Sequence, residues 1–257
     1  MTSTTRVTAA GPYLFGLAVA ALGLQQIARL DFVPGPLVAP AWVPWRTGAA
    51  CLSGAVLLAA GATIGSATLR RRAGLVLAVL FGMVFVAFQL PAPLALVRDG
   101  VARTRALETL AFLATAAALA GAPLARAGRV LFAVCFIVLG AQHFMYAAFI
   151  ATLVPAWIPG GGLFWNYATG VGMIAAGLAI GANRLAAPAG LLLALMLAAF
   201  VLTLHLPRTL TQAATANELN SLLVALAMTG AALVFAAPSP PRPSTCLLYT
   251  SPSPRDS

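Results

Sequence analysis

The sequence predicts an all-α protein: a polytopic membrane helix bundle of about eight transmembrane helices, built as two tandem four-helix repeats. Three observations carry that reading. Of 257 residues, 61% are hydrophobic and 8% charged, whereas soluble domains run near 45–50% apolar and about 25% charged. Apolar runs of about 20 residues, the length a bilayer core demands, recur between short breaks bearing Arg, Pro or Gly. The same short motifs also return in the same order about 116 residues later, as a repeated unit requires.

Eight runs can be marked: 12–28, 47–66, 73–90, 107–124, 130–150, 163–182, 186–206 and 219–237. Each is apolar on every side, as a lipid-facing or fully buried helix must be. Small residues such as Gly54, Gly61 and Gly65, or Gly170, Gly177 and Gly181, recur within them, and in lipid small residues let helix backbones approach closely. The first run follows only Arg6 and lacks an A-x-A site; because its repeat partner is internal, it is read as a retained helix and not as a signal peptide. Every basic residue is Arg, for a formal charge of +10. With the N-terminus inside, eight arginines fall on the cytoplasmic side against six outside, the Arg70–Arg72 triplet being the anchor. Both termini are then cytoplasmic. The arginines are scattered through short connections, which is a topology signal and not a nucleic-acid patch.

The repeat is read motif by motif. Leu22-Gly23-Leu24-Gln25-Gln26 corresponds to Leu139-Gly140-Ala141-Gln142-His143, and Pro40-Ala41-Trp42-Val43-Pro44 to Pro155-Ala156-Trp157-Ile158-Pro159. Further on, the 59–65 segment matches 175–181, and Gln89-Leu90-Pro91 matches His205-Leu206-Pro207. Three segments follow: residues 1–125 as the first repeat, 126–245 as the second, and 246–257 as a tail. Residues 246–256 read CLLYTSPSPRD, which resembles the translation of a transposase sequencing adaptor; a different native C-terminus after Thr245 is expected, and Cys246 and Asp256 carry no functional weight. An even number of helices per repeat inserts both copies the same way up, giving parallel pseudo-symmetry.

At the G-x-Q-H-F, P-A-W-I-P and A-G-L-A-I-G motifs, the second repeat resembles the DoxX-like family of small bacterial membrane proteins, and the first is similar to a diverged second copy. The resemblance implies a four-helix inner-membrane bundle, in some members associated with a thiosulfate-to-quinone oxidoreductase. It implies a bacterial inner-membrane location and membrane redox subunits as partners. It carries over no catalytic residue.

Several side chains are candidates for binding. The two P-A-W-[VI]-P loops share the outer face, and Pro34, Pro36, Pro40 and Pro44 in the first exclude an ordinary spanning helix. A short re-entrant or interfacial cap is expected there. All four tryptophans sit in or beside these loops, as an interfacial aromatic belt or as a lid over a lipid or quinone slot. The two histidines, His143 and His205, stand where the first repeat has Gln26 and Gln89. Interhelical hydrogen bonding, a polar contact to quinone or lipid, and haem ligation all remain open for them. Glu108 and Glu218 lie near the outer starts of their helices, where a first-turn acid is favoured by the helix dipole. Glu218 is also placed to pair with Arg208 or a protonated His205. Asn166, Tyr167 and Thr169 form a polar patch where the first repeat carries Ala50, Cys51 and Ser53. The expected ligand-binding set is therefore His143, Trp157, Asn166, Tyr167, His205 and Glu218, holding a quinone or lipid.

The function classes narrow accordingly. No Gly-rich phosphate loop, H-E-x-x-H, G-x-S-x-G or carboxylate ladder occurs, which argues against hydrolysis and nucleotide-driven transport. Five acids are too few for a hard-cation cage, and the scattered cysteines form no C-x-x-C. The expectation is an accessory, lipid- or quinone-binding membrane component. The alternatives are a small-molecule transporter, which requires polar groups at mid-membrane depth in both copies, and a purely structural partner of a membrane redox complex.

Overall fold

The structure, a computed structural model, describes residues 3–91, 93–211 and 216–237; the expected adaptor-like tail, 246–257, lies outside them. Among the described residues every regular element is helical. The helices are α1 (Ser3–Ala9), α2 (Gly11–Arg29), α3 (Arg46–Thr63), α4 (Arg70–Val84), α5 (Pro93–Arg98), α6 (Gly100–Leu119), α7 (Ala122–Met145), α8 (Ala147–Ala151), α9 (Gly162–Gly181), α10 (Ala186–Phe200), α11 (Leu206–Thr211) and α12 (Ala216–Ala236). Pro12 and Pro123 sit in the first turns of α2 and α7, where a missing N–H costs nothing. Asp99 caps α6, its carboxylate accepting the Val101 N–H at 2.8 Å. Arg70 closes the far end of α3 by donating to the carbonyls of Ile64 and Gly65.

Six segments are long and apolar enough to cross a bilayer: Arg6–Arg29, Arg70–Gln89, Ala122–Met145, Gly162–Gly181, Ala186–Thr211 and Asn217–Ala236. α3 and α6 pack in the same bundle but are less apolar, α3 opening on Arg46 and α6 carrying Arg103, Arg105 and Glu108. α6 also begins seven residues before the apolar run at 107, so Glu108 stands two turns inside the helix. The first-turn role expected of Glu108 does not hold; Asp99 supplies the cap. Glu218 does lie in the first turn of α12.

The long helices form a closed circuit. α2, α3, α4 and α6 pack in sequence, as do α7, α9, α10 and α12; α6 then packs on α7 and α12 on α2, while α6 and α12 meet across the middle. Each half is therefore sealed by helices of the other. Backbones cross closely at two corresponding points: a Cβ on Gly23 would lie 2.4 Å from the Gly54 carbonyl oxygen, and one on Gly140 would lie 2.7 Å from that of Gly170. Only glycine permits such approach. The interior is filled by edge-on Phe15, Phe81 and Phe112 in the first half and by Phe132, Phe136 and Phe235 around α7 and α12.

Two helix ends depart from α geometry at corresponding places. α4 and α10 each end in one π-helical turn, Phe85–Gln89 and Val201–His205, 116 residues apart. Leu90 N–H reaches back five residues to Phe85 O at 2.9 Å, and Leu206 N–H does so to Val201 O. Pro91 and Pro207 follow directly; proline clashes with the carbonyl four residues back, and an extra residue in the turn is a common relief that recurs at functional sites. The recurrent Pro, preceded by Gln-Leu or His-Leu, was the available signal.

Candidate functional site

Polar side chains and tryptophans gather at the bundle end formed by the C-termini of α2, α7 and α10 and the N-termini of α3, α6, α9 and α12. Trp42, Trp45 and Trp157 are about 70% exposed or more there, as a belt or a lid requires. The triplet Arg70–Arg72 marks the opposite end.

The two loops at the tryptophan end differ. In the first, residues 30–45, the chain turns inward and buries Val33 and Leu37. The Pro36 carbonyl accepts from Thr109 Oγ1 at 2.8 Å and, more distantly, from Gln89 Nε2, which also donates to Thr109 Oγ1 at 2.8 Å. Gly35 lies against the Asn220 side chain of α12 so closely that a Cβ would strike it. Arg46 pins the loop from the side: it pairs with Asp31 at 2.6 Å, donates to the carbonyls of Ala39 and Pro40, and covers the Phe32 ring. Trp42 meets Phe88 edge-on at 6.0 Å. The first loop thus plugs its half of the mouth.

In the second loop, residues 152–161, no residue is buried. Gly161 and Gly162 stand where the first repeat has Arg46, so the pin is missing, and Leu204 replaces Phe88 opposite Trp157. A cleft of about 360 Å³ opens there, walled by Leu153, Pro155, Trp157, Leu204, Pro207 and Arg208, with Thr152 and Thr203 alongside. Arg208 was expected as a partner of Glu218; the cleft that it lines was not foreseen.

The six expected residues are brought together in part. His143 and Asn166 join α7 to α9: Nδ1 of His143 lies 2.9 Å from Asn166 Oδ1, and Asn166 Nδ2 donates to the His143 carbonyl at 2.9 Å. With the Asn166 amide so oriented, Nδ1 of His143 is the donor to Oδ1. The matching pair in the first half makes the same link, Gln26 Nε2 donating to Ala50 O at 2.9 Å and to Ser53 Oγ. Tyr167 stacks on Phe144 with ring centroids 5.5 Å apart. Trp157 lines the cleft. His205 lies behind the cleft wall, its Nδ1 enclosed with no hydrogen bond among the described residues. Thr209 Oγ1 donates to the His205 carbonyl at 2.8 Å and lies 3.4 Å from that of Glu218. Helix α9 separates the helices that carry the two imidazoles.

A second polar cluster, unanticipated, fastens α6 to α7. The Arg103 guanidinium donates to Gln142 Oε1, Tyr146 Oη and the carbonyls of Leu96 and Val97, at 2.7–3.3 Å, and covers the Tyr146 ring. Each of its three nitrogens is engaged within the protein. Deeper in the bundle, the buried hydroxyls of Thr115 and Thr229 donate to their own helices' carbonyls and define no polar path.

No family model, curated protein or solved structure matches the chain.

Proposed function

We propose that the protein is a DoxX-like, eight-span component of a bacterial inner membrane, built as two tandem four-helix repeats, that binds a lipid or quinone-like amphiphile at the outer mouth of its second repeat. The observation that carries the reading is the inequality of two corresponding places. Where Trp42, Phe88 and an Arg46-pinned loop fill the first mouth, Trp157 and Leu204 border an open cleft. Ligand pockets are concave, mostly apolar and set with few polar groups, and this cleft has that form. Support for the duplication comes from the paired π turns, the paired Gly23 and Gly140 crossings, and the paired Gln26–Ala50 and His143–Asn166 links. α3 and α6, 18 and 20 residues long, span about 27–30 Å at 1.5 Å per residue, enough for eight crossings with both termini in the cytoplasm. In this reading His143, Asn166, Tyr167, His205 and Glu218 are polar groups of the same outer end that the ligand's head could reach, though only Trp157 of the expected set lines the cleft. The interhelical polar contacts gather at the mouth, whereas the deeper Thr115 and Thr229 bond only their own helices; this favours a binding component over a transporter.

The test is to fill the cleft as the first repeat fills its own. Purified protein and a Leu204→Trp variant are extracted, and retained lipids and quinones are identified by mass spectrometry. The wild type retains a defined amphiphile and the variant, equally folded, loses it. Equal retention by both would remove the cleft from the account.

A further inference from the structure

The cleft's polar lining identifies the kind of ligand more closely than its shape does. Three polar side chains border it: Thr152, Thr203 and Arg208. The two hydroxyls are committed, Thr152 Oγ1 donating to Phe149 O and Thr203 Oγ1 to Ala199 O, each at 2.7 Å. Arg208 is therefore the one charged group on the cleft, with the Trp157 indole N–H as a neutral donor beside it. Arg208 is half-buried, its guanidinium makes no hydrogen bond or ion pair with any described residue, and no carboxylate lines the cleft. Arg103, by contrast, has every nitrogen engaged. A partly desolvated charge without a counter-charge is costly, and guanidinium matches carboxylate and phosphate oxygens in a two-pronged geometry. The remaining walls, Leu153, Val154, Pro155, Trp157, Leu204 and Pro207, are apolar. Leu202 and Leu206, on the same helical segment, are exposed as well.

Such a site has one polar pole and one greasy body. A quinone is uncharged and would leave the guanidinium without a counter-charge, whereas an anionic headgroup supplies one. We propose that the cleft binds a membrane lipid with an anionic headgroup, the phosphate or carboxylate on Arg208 and the acyl chain against Trp157 and Leu204. The inference rests on the cleft being a ligand site and names its ligand class. Repeat one is denied the same role twice over, by its plugged mouth and by Ala92 at the position matching Arg208.

The experiment uses the full chain in detergent with phosphatidylglycerol and phosphatidylcholine carrying the same labelled acyl chain. One arginine near a membrane surface corresponds to about a fivefold preference for the anionic lipid. The wild type is expected to show that preference, Arg208→Gln to lose it while binding phosphatidylcholine as before, and Arg208→Lys to keep part of it. Arg98→Gln, an exposed arginine at the same end, removes the same charge and is expected to change nothing. Excess inorganic phosphate is expected not to displace the lipid. Equal binding of both lipids by the wild type, the same loss in Arg98→Gln, or displacement by phosphate alone would overturn the assignment. If Leu204→Trp still abolishes retention of both lipids while no anionic preference exists, the cleft stands and the ligand class falls; if Leu204→Trp abolishes nothing, both fall.

Discussion

His143 and Asn166 show how far single residues could be read. The exchange of Gln26 for His143 and of Ala50 for Asn166 is visible in the sequence, and the structure makes one interhelical link of each pair. What could not be read was that the two changes compensate: a glutamine reaches across to a bare carbonyl, whereas the shorter imidazole needs an amide brought toward it. Asn166→Ala is therefore expected to cost about 0.6–2 kcal/mol, the range of interhelical hydrogen bonds in membranes, and adding His143→Gln to restore part of it, because the double variant rebuilds the link of the first half. Thermal unfolding in detergent measures both; additive losses would contradict the compensation. Glycines divide by a similar rule. Gly23→Ala drives a methyl into backbone and is expected to cost about 1–3 kcal/mol, whereas Gly172→Ala meets only the Met196 sulfur, at 3.5 Å, and is expected to leave the melting temperature within about a degree. Composition marks both as small residues in a span; only the crossing geometry separates them.

At the scale of elements, proline and apolar length located the helices and both loops, but not their unequal fates. The two P-A-W loops are alike in motif, and the difference lies outside it, in Arg46 against Gly161 and Gly162. Arg46 satisfies two carbonyls and one carboxylate of the first loop at once, and such charge-assisted bonds hold a segment that apolar burial alone would hold weakly. Arg46→Ala is accordingly expected to raise hydrogen exchange across residues 31–45 at least severalfold while leaving 152–161 unchanged. Unaltered exchange in the first loop would show that Val33 and Leu37 hold it without the pin. Helix starts were misplaced where charge interrupts hydropathy, as at α6, since Arg103 is accommodated by Gln142 and Tyr146 and not by solvent. That accommodation depends on α7 and has no trace in α6 itself.

For the whole molecule, the all-helical, membrane-directed character follows from composition, because 8% charge cannot clothe a soluble surface. The closing of each half by the other does not follow: packing of α12 on α2 and α6 on α7 is a long-range choice among apolar faces that look alike in sequence. Nor does the cleft, which exists because a pin and an aromatic are missing. The account therefore turns on the second mouth being open and the first closed. A phospholipid bearing a photoactivatable group in its acyl chain, cross-linked to the full chain in membranes and mapped by peptide sequencing, tests this most directly. Labels are predicted on 152–158 and 203–208, with the matching stretches 36–43 and 87–91 spared; labels shared equally between the two mouths, or confined to the outward faces of the spans, would contradict it.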